Sequence, residues 1–215
     1  MEVNEYKKRF DQLYSNLLGA SATFYSWKSL QNKDYEPIYH KANYFWSATL
    51  LALQNEWLLS LAKCFEKSNF SERGQVISVQ ALLKHHPDPS RRERAETLLK
   101  KHERVITSIA RLRDHQLAHL NAEHLADPSK LLQRFPVQYD EVESLLEDLS
   151  ELFTMLNPEP GHGYILDNYT KEPLREGKHT MEKIQYFDRK KEEYLDRFVA
   201  GEINDYKFPP DTDSP

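Results

Sequence analysis

Apolar residues recur at three- and four-residue intervals along most of the chain, the period of helices buried on one side. Tyr6, Phe10, Leu13, Tyr14, Leu17 and Leu18 mark a first helix over about 5–27. A polar break at Gln31-Asn32-Lys33-Asp34 follows, and Pro37 suits the first turn of the next helix. From 38 to 67, Ala42, Phe45, Trp46, Thr49, Leu50, Leu53, Trp57, Leu58, Leu61 and Phe65 keep helical spacing. Leu51 and Leu59 add apolar surface off that stripe. So wide a stripe suits either the middle helix of a bundle or a helix that also touches a second subunit. Ser71-Glu72-Arg73-Gly74 predicts a loop. Val76, Ile77, Val79, Leu82 and Leu83 then predict a shorter helix that stops at Pro87-Asp88-Pro89-Ser90.

The following helix is predicted from about Arg91 to His124, where Asp127-Pro128 ends it. Ser90 is its expected N-cap, with Glu93 as the reciprocal partner three residues on. Its stripe is Leu98, Leu99, Val105, Ile106, Ile109, Leu112, Leu117 and Leu120. Arg113 falls inside this stripe, one turn after Ile109 and one turn before Leu117. Burying an unpaired guanidinium costs on the order of several kcal/mol, and the group cannot shed its charge. Arg113 must therefore meet an acid, a partner chain or an anionic ligand. Another helix opens at Gln138 or Tyr139 and buries Val142, Leu145, Leu146, Leu149, Leu152, Phe153 and Leu156. Pro158-Glu159-Pro160-Gly161-His162-Gly163 is a boundary, and a charged helix over about 179–200 carries Met181, Ile184, Phe187, Tyr194 and Phe198. The expected organisation is all-α: an antiparallel helical bundle over 1–157, a linker and helical extension over 158–200, and a disordered tail over 201–215.

Composition agrees with helix. The 215 residues include only six glycines, and long polar side chains are abundant. The single cysteine, Cys64, excludes an intramolecular disulfide, suits a reducing cytosol and follows an apolar helical run, so a core position is expected. The amino terminus, Met-Glu-Val-Asn-Glu-Tyr-Lys-Lys-Arg-Phe, lacks the apolar region of a signal peptide, and no run approaches the roughly 20 apolar residues of a membrane span. A soluble, cytoplasmic protein with no membrane partner is the expectation.

The formal net charge of −5 does not advertise a nucleic-acid binder, but the charges are segregated. Lys84, Arg91, Arg92, Arg94, Lys100, Lys101, Arg104, Arg111 and Arg113 outnumber the acids between them, whereas 139–159 carries seven acids (Asp140, Glu141, Glu143, Glu147, Asp148, Glu151 and Glu159) and no Lys or Arg. The two stretches either create one positive face or complement each other as solvated helix faces.

Arg111-Leu112-Arg113-Asp114-His115-Gln116-Leu117-Ala118-His119 is where chemistry and packing meet. Arg113, a polar residue directly after it, and His119 after four further positions resemble the signature of the HEPN superfamily, and the local text is most similar to HEPN proteins of bacterial abortive-infection systems. The resemblance covers about residues 5–157. It implies a HEPN-like bundle that dimerises, places two copies of the motif in one cleft, and acts as a metal-independent endoribonuclease in a toxin–antitoxin or phage-defence setting. RNA is then the substrate, with an antitoxin or a nucleotidyltransferase as a further partner and no cofactor. Arg113 and His119 would be the central catalytic residues and Asp114 would assist, while Arg111 and His115 would contact substrate.

The chemistry suits those residue types. Cleavage by the RNA's own 2′-hydroxyl needs a base, an acid for the leaving oxygen, and positive charge on the phosphate. Histidine fits either proton role near neutrality, and arginine is a planar permanent cation. In an ideal helix Arg113 and His119 are about 9 Å apart along the axis and about 120° apart around it, so two apposed motifs close a site better than one. Other readings stand beside this one. Arg113-Asp114 also fits a structural ion pair, and a HEPN-type module can bind a partner protein or nucleotide without catalysis. His115 and His119, four apart, are spaced as zinc ligands, but Gln116 stands where a metalloprotease helix has its glutamate, and His85, His86 and His124 lack diagnostic spacing for a third ligand. No metal site is expected. His85-His86 is expected to decorate a helix end, and His162 to sit in a flexible turn.

Overall fold

A computed structural model describes residues 3–66, 77–114, 136–159 and 167–202, the last segment by its backbone alone up to 171. Among these residues the chain is helical and has no strand. The elements are α1 (Val3–Ser29), a single 3-10 turn (Lys33–Tyr35), α2 (Glu36–Lys41), α3 (Asn43–Cys64), α4 (Val79–His85), α5 (Pro89–Lys101), α6 (Glu103–Arg113), α7 (Tyr139–Leu156) and α8 (Asp167–Val199).

The long α1 is the centre of the bundle, touching α3, α4, α7 and α8. Its stripe Phe10, Leu13, Leu17 and Phe24 is buried completely or nearly so. Trp57, Leu58 and Leu61 of α3, Leu82 and Leu83 of α4, Ile109 and Leu112 of α6, and Leu145, Leu149, Leu152 and Phe153 of α7 close the same core. Phe24 meets Trp57 edge-on at 5.3 Å, and Phe10 lies 5.3 Å from Phe153, so aromatic contacts tie α1 to both neighbours. At the open end of α1, the Tyr6 hydroxyl donates to the Leu156 carbonyl at 2.9 Å. Cys64 is core, as its place in the pattern implied, and burial pushes its thiol up to about 12.

Two predicted helices are each divided. The helix expected over 38–67 breaks at Ala42, whose backbone (φ −141°, ψ 53°) is not helical. Lys41, just before the break, pairs with Asp188 and Glu192 of α8 at 3.2 and 3.1 Å. The helix expected from Arg91 breaks at His102 (φ −105°, ψ 9°), between α5 and α6. Its N-cap is Asp88 rather than Ser90: the Asp88 carboxylate accepts from the backbone N–H groups of Ser90 and Arg91, with Pro89 in the first turn.

The C-terminal helix begins at Asp167, well before the expected 179, and runs through Pro173. It lies on α1 where Gly177 meets Ser29. Met181 is fully buried with Tyr35 and Ile38 in a small second core, with Trp46 and Ile184 against it. Of the other apolar residues expected to pack here, Phe187 and Phe198 are exposed. The expected loop at 71–74, the stretch 160–163 with His162, the helix end near Asp127-Pro128 and the tail from 203 lie outside the described residues. No helix among the described residues is long and apolar enough to cross a membrane.

Candidate functional site

The motif arginine ends α6. Val105, Ile109 and Leu112 bury the inner face of that helix, and Arg113 follows Ile109 by one turn, so its stem leaves from the edge of the core. The side chain is 20% exposed. One edge of the guanidinium is fixed: Nε and Nη2 donate to Asp114 Oδ1 at 2.9 and 2.7 Å. The other edge turns towards α3, where Nη1 lies 3.6 Å from Oε1 of Glu66, just beyond the helix end. Of the three partners open to a charge on an apolar stripe, the described residues supply an acid, and it is double: Asp114 beside Arg113 and Glu66 across the α3–α6 contact. Asp114 continues the helical backbone (φ −62°, ψ −40°) with its side chain half exposed. Arg111 is exposed one turn after Thr107. His115 and His119, with Leu117, Leu120 and His124, lie outside the described residues.

A second charged cluster holds the motif helix from its other end. At the α5–α6 break His102 is buried, and its Nε2 donates to Asp148 Oδ2 of α7 at 2.7 Å. Lys101 Nζ donates to the same oxygen at 2.6 Å. Burial alone would raise the Asp148 carboxyl; the hydrogen bonds from Lys101 and His102 outweigh it and hold the group below the usual carboxylate value. Sequence reasoning missed His102 because nothing local distinguishes it among Lys100, Lys101, Glu103 and Arg104.

Three bases of the basic stretch meet acids of α7: Lys101 with Asp148, Arg94 with Glu151 at 3.8 Å, and Arg104 with Glu141. For these groups the basic and acidic helices complement each other. Arg91 pairs within its own turn with Asp88 at 3.6 Å. His85 lies in the last turn of α4 and is exposed, as expected of a helix end. His86 is not: it is buried, its Nδ1 accepts from the Asp88 backbone N–H at 3.1 Å, and its ring meets Tyr6 edge-on at 5.9 Å. Among the described residues no three His, Cys, Asp or Glu side chains converge as metal ligands.

On α3 the division at Ala42 leaves an apolar surface without cover. Tyr44 is 93% exposed, Phe45 63% and Leu51 52%, although they belong to the most apolar helix among the described residues.

A family model described as AbiU2, of HEPN type, matches residues 4–159. No curated protein and no solved structure matches the chain.

Proposed function

Because the chain belongs to the AbiU2 family of HEPN proteins, linked to abortive infection, we propose that it is a metal-independent endoribonuclease acting in phage defence or as a toxin. The carrying observation is the state of Arg113. A permanent cation stands at the edge of the core with one face locked by Asp114, so its remaining N–H groups are held in a fixed direction. Such preorganisation is what a phosphate in a developing transition state requires. His119 would take the proton from the 2′-hydroxyl or give one to the leaving 5′-oxygen, while Arg113 stabilises charge on the phosphate oxygens. Arg111 and His115 would contact RNA on either side. No step needs a metal or another cofactor.

The site is proposed to be shared by two copies. Exposed Tyr44, Phe45 and Leu51 supply an apolar face of the sort that homodimers bury. A two-fold pairing that runs along α3 from this face to its far end, where Glu66 meets Arg113, would bring two motif helices together and close the gap between arginine and histidine that a single helix leaves. The test is cleavage of total RNA in EDTA, with 2′,3′-cyclic phosphate ends as the product signature. Loss of cleavage in a folded His119→Ala variant supports the assignment.

One observation favours a second reading, a non-catalytic HEPN module that binds a partner protein, such as an antitoxin or a nucleotidyltransferase, or a nucleotide. Arg113 is already neutralised by two carboxylates, as a structural ion pair would be. In that case the pure dimer cuts no RNA, and Arg113→Ala costs stability only modestly, about 1 kcal/mol, because both acids are partly exposed and solvent screens them.

A further inference from the structure

The two carboxylates on Arg113 are not equivalent. Asp114 accepts two hydrogen bonds from the Nε and Nη2 edge, and it follows Arg113 directly in the chain, so it stays with the arginine wherever α6 goes. Glu66 makes a looser contact at 3.6 Å, beyond hydrogen-bond reach, and its side chain is 42% exposed just past the end of α3. It can turn into solvent without disturbing either helix. The local charge makes the point sharper. One guanidinium and two carboxylates leave a formal charge of −1 where a phosphodiester must approach. Like charges at such a site repel, most of all at low salt, where screening is weakest.

We infer that the Glu66 carboxylate occupies the phosphate subsite of the motif: it is a displaceable counter-ion that stands on the Nη1 edge of Arg113 until an RNA phosphate takes its place. This rests on the proposed reading of Arg113 as a phosphate-binding group. Glu66 then sets how readily the site loads. It covers the Nη1 edge of the guanidinium in the empty protein and opposes weakly held anions. A polyanion that gains contacts elsewhere displaces it. Asp114 remains bound throughout and orients the arginine.

The full chain is compared with Glu66→Gln, Arg113→Gln and the double variant in two assays. The first measures binding of an uncleavable 2′-O-methyl RNA oligonucleotide. The second follows modification of Arg113 by phenylglyoxal, read by mass spectrometry with and without inorganic phosphate. Glu66→Gln should bind the oligonucleotide about tenfold more tightly at low salt, and the gain should vanish in the Arg113→Gln background. Phenylglyoxal should reach Arg113 faster in Glu66→Gln, and phosphate should protect it better there than in the parent. Unchanged or weaker binding by Glu66→Gln, in a protein whose binding does depend on Arg113, overturns the inference. If Arg113→Gln binds RNA as the parent does, the proposed role of Arg113 fails instead. The phosphate protection then decides alone: stronger protection in Glu66→Gln keeps the subsite as an anion site, and equal protection removes it.

Discussion

Replacing Gly177 by alanine tests how the C-terminal helix is seated. In the interior of a helix this change ordinarily stabilises, because alanine is the better helix former by about 0.8–1.0 kcal/mol. Here a Cβ at position 177 would stand 1.9 Å from Ser29 Oγ and 2.8 Å from Ser29 Cβ. Carbon atoms pack best at about 3.5–4.0 Å, so α8 would have to withdraw from α1 by roughly an ångström. The Ser29 hydroxyl has little freedom to yield, since it donates to the Ser26 carbonyl at 2.6 Å, and rotating it would leave the carbon–carbon overlap in place. Overpacking of this kind costs about 1–3 kcal/mol, and so short a contact belongs at the upper end. Set against the propensity gain, Gly177→Ala should lose about 2 kcal/mol in urea unfolding followed by circular dichroism. The double variant Ser29→Gly/Gly177→Ala should recover much of the loss, giving a favourable coupling between positions on two helices. A Gly177→Ala protein more stable than its parent by about 1 kcal/mol would mean that α8 does not lie on Ser29 in solution.

The remaining expectations concern the charged clusters, the apolar face and the thiol. Asp148 has a depressed folded-state carboxyl, so its stabilisation is fully present above the ordinary carboxylate range and is lost as the pH falls through the folded value. Asp148→Asn should therefore cost about 1.5–3 kcal/mol near neutral pH and flatten the acid limb of the stability profile; an unchanged acid limb would count against the His102–Asp148–Lys101 clamp. Leu51→Glu, at a 52% exposed position, should leave the helical signal intact and shift sedimentation from dimer to monomer. A parent protein that is already monomeric at micromolar concentration would undo the shared site. Cys64, buried with its thiol pushed up to about 12, should react with a thiol reagent at pH 8 only after denaturation; rapid labelling of the folded chain would contradict the burial.

The helices were legible because burial on one face leaves a period that sequence shows directly. The breaks were not. Neither Ala42 nor His102 is flanked by glycine or proline, and each division sits beside contacts made elsewhere in the bundle: Lys41 reaching α8, and His102 reaching Asp148. The early start of α8 was hidden for the opposite reason, since Pro173 and Gly177 discourage helix locally while packing on α1 sustains it. At the site, placing Arg113 on an apolar stripe was enough to demand an acid, a partner chain or an anionic ligand. It did not identify Glu66, which is brought close only by the packing of α3 against α6. Asp88 outranked Ser90 as the cap because Pro89 fits the first helical turn, and Asp88 precedes it.

The central claim is that Arg113 and His119 cut RNA, and the most direct measurement is cleavage in EDTA by the parent, Arg113→Ala and His119→Ala proteins. Their folding and assembly are checked by circular dichroism and sedimentation in the same preparations. The expected result is metal-independent cleavage by the parent, yielding 2′,3′-cyclic phosphate ends. His119→Ala should remain folded and dimeric but lose that cleavage, and Arg113→Ala should lose RNA affinity together with turnover. A folded, dimeric His119→Ala protein that cuts RNA at the parent rate contradicts the claim.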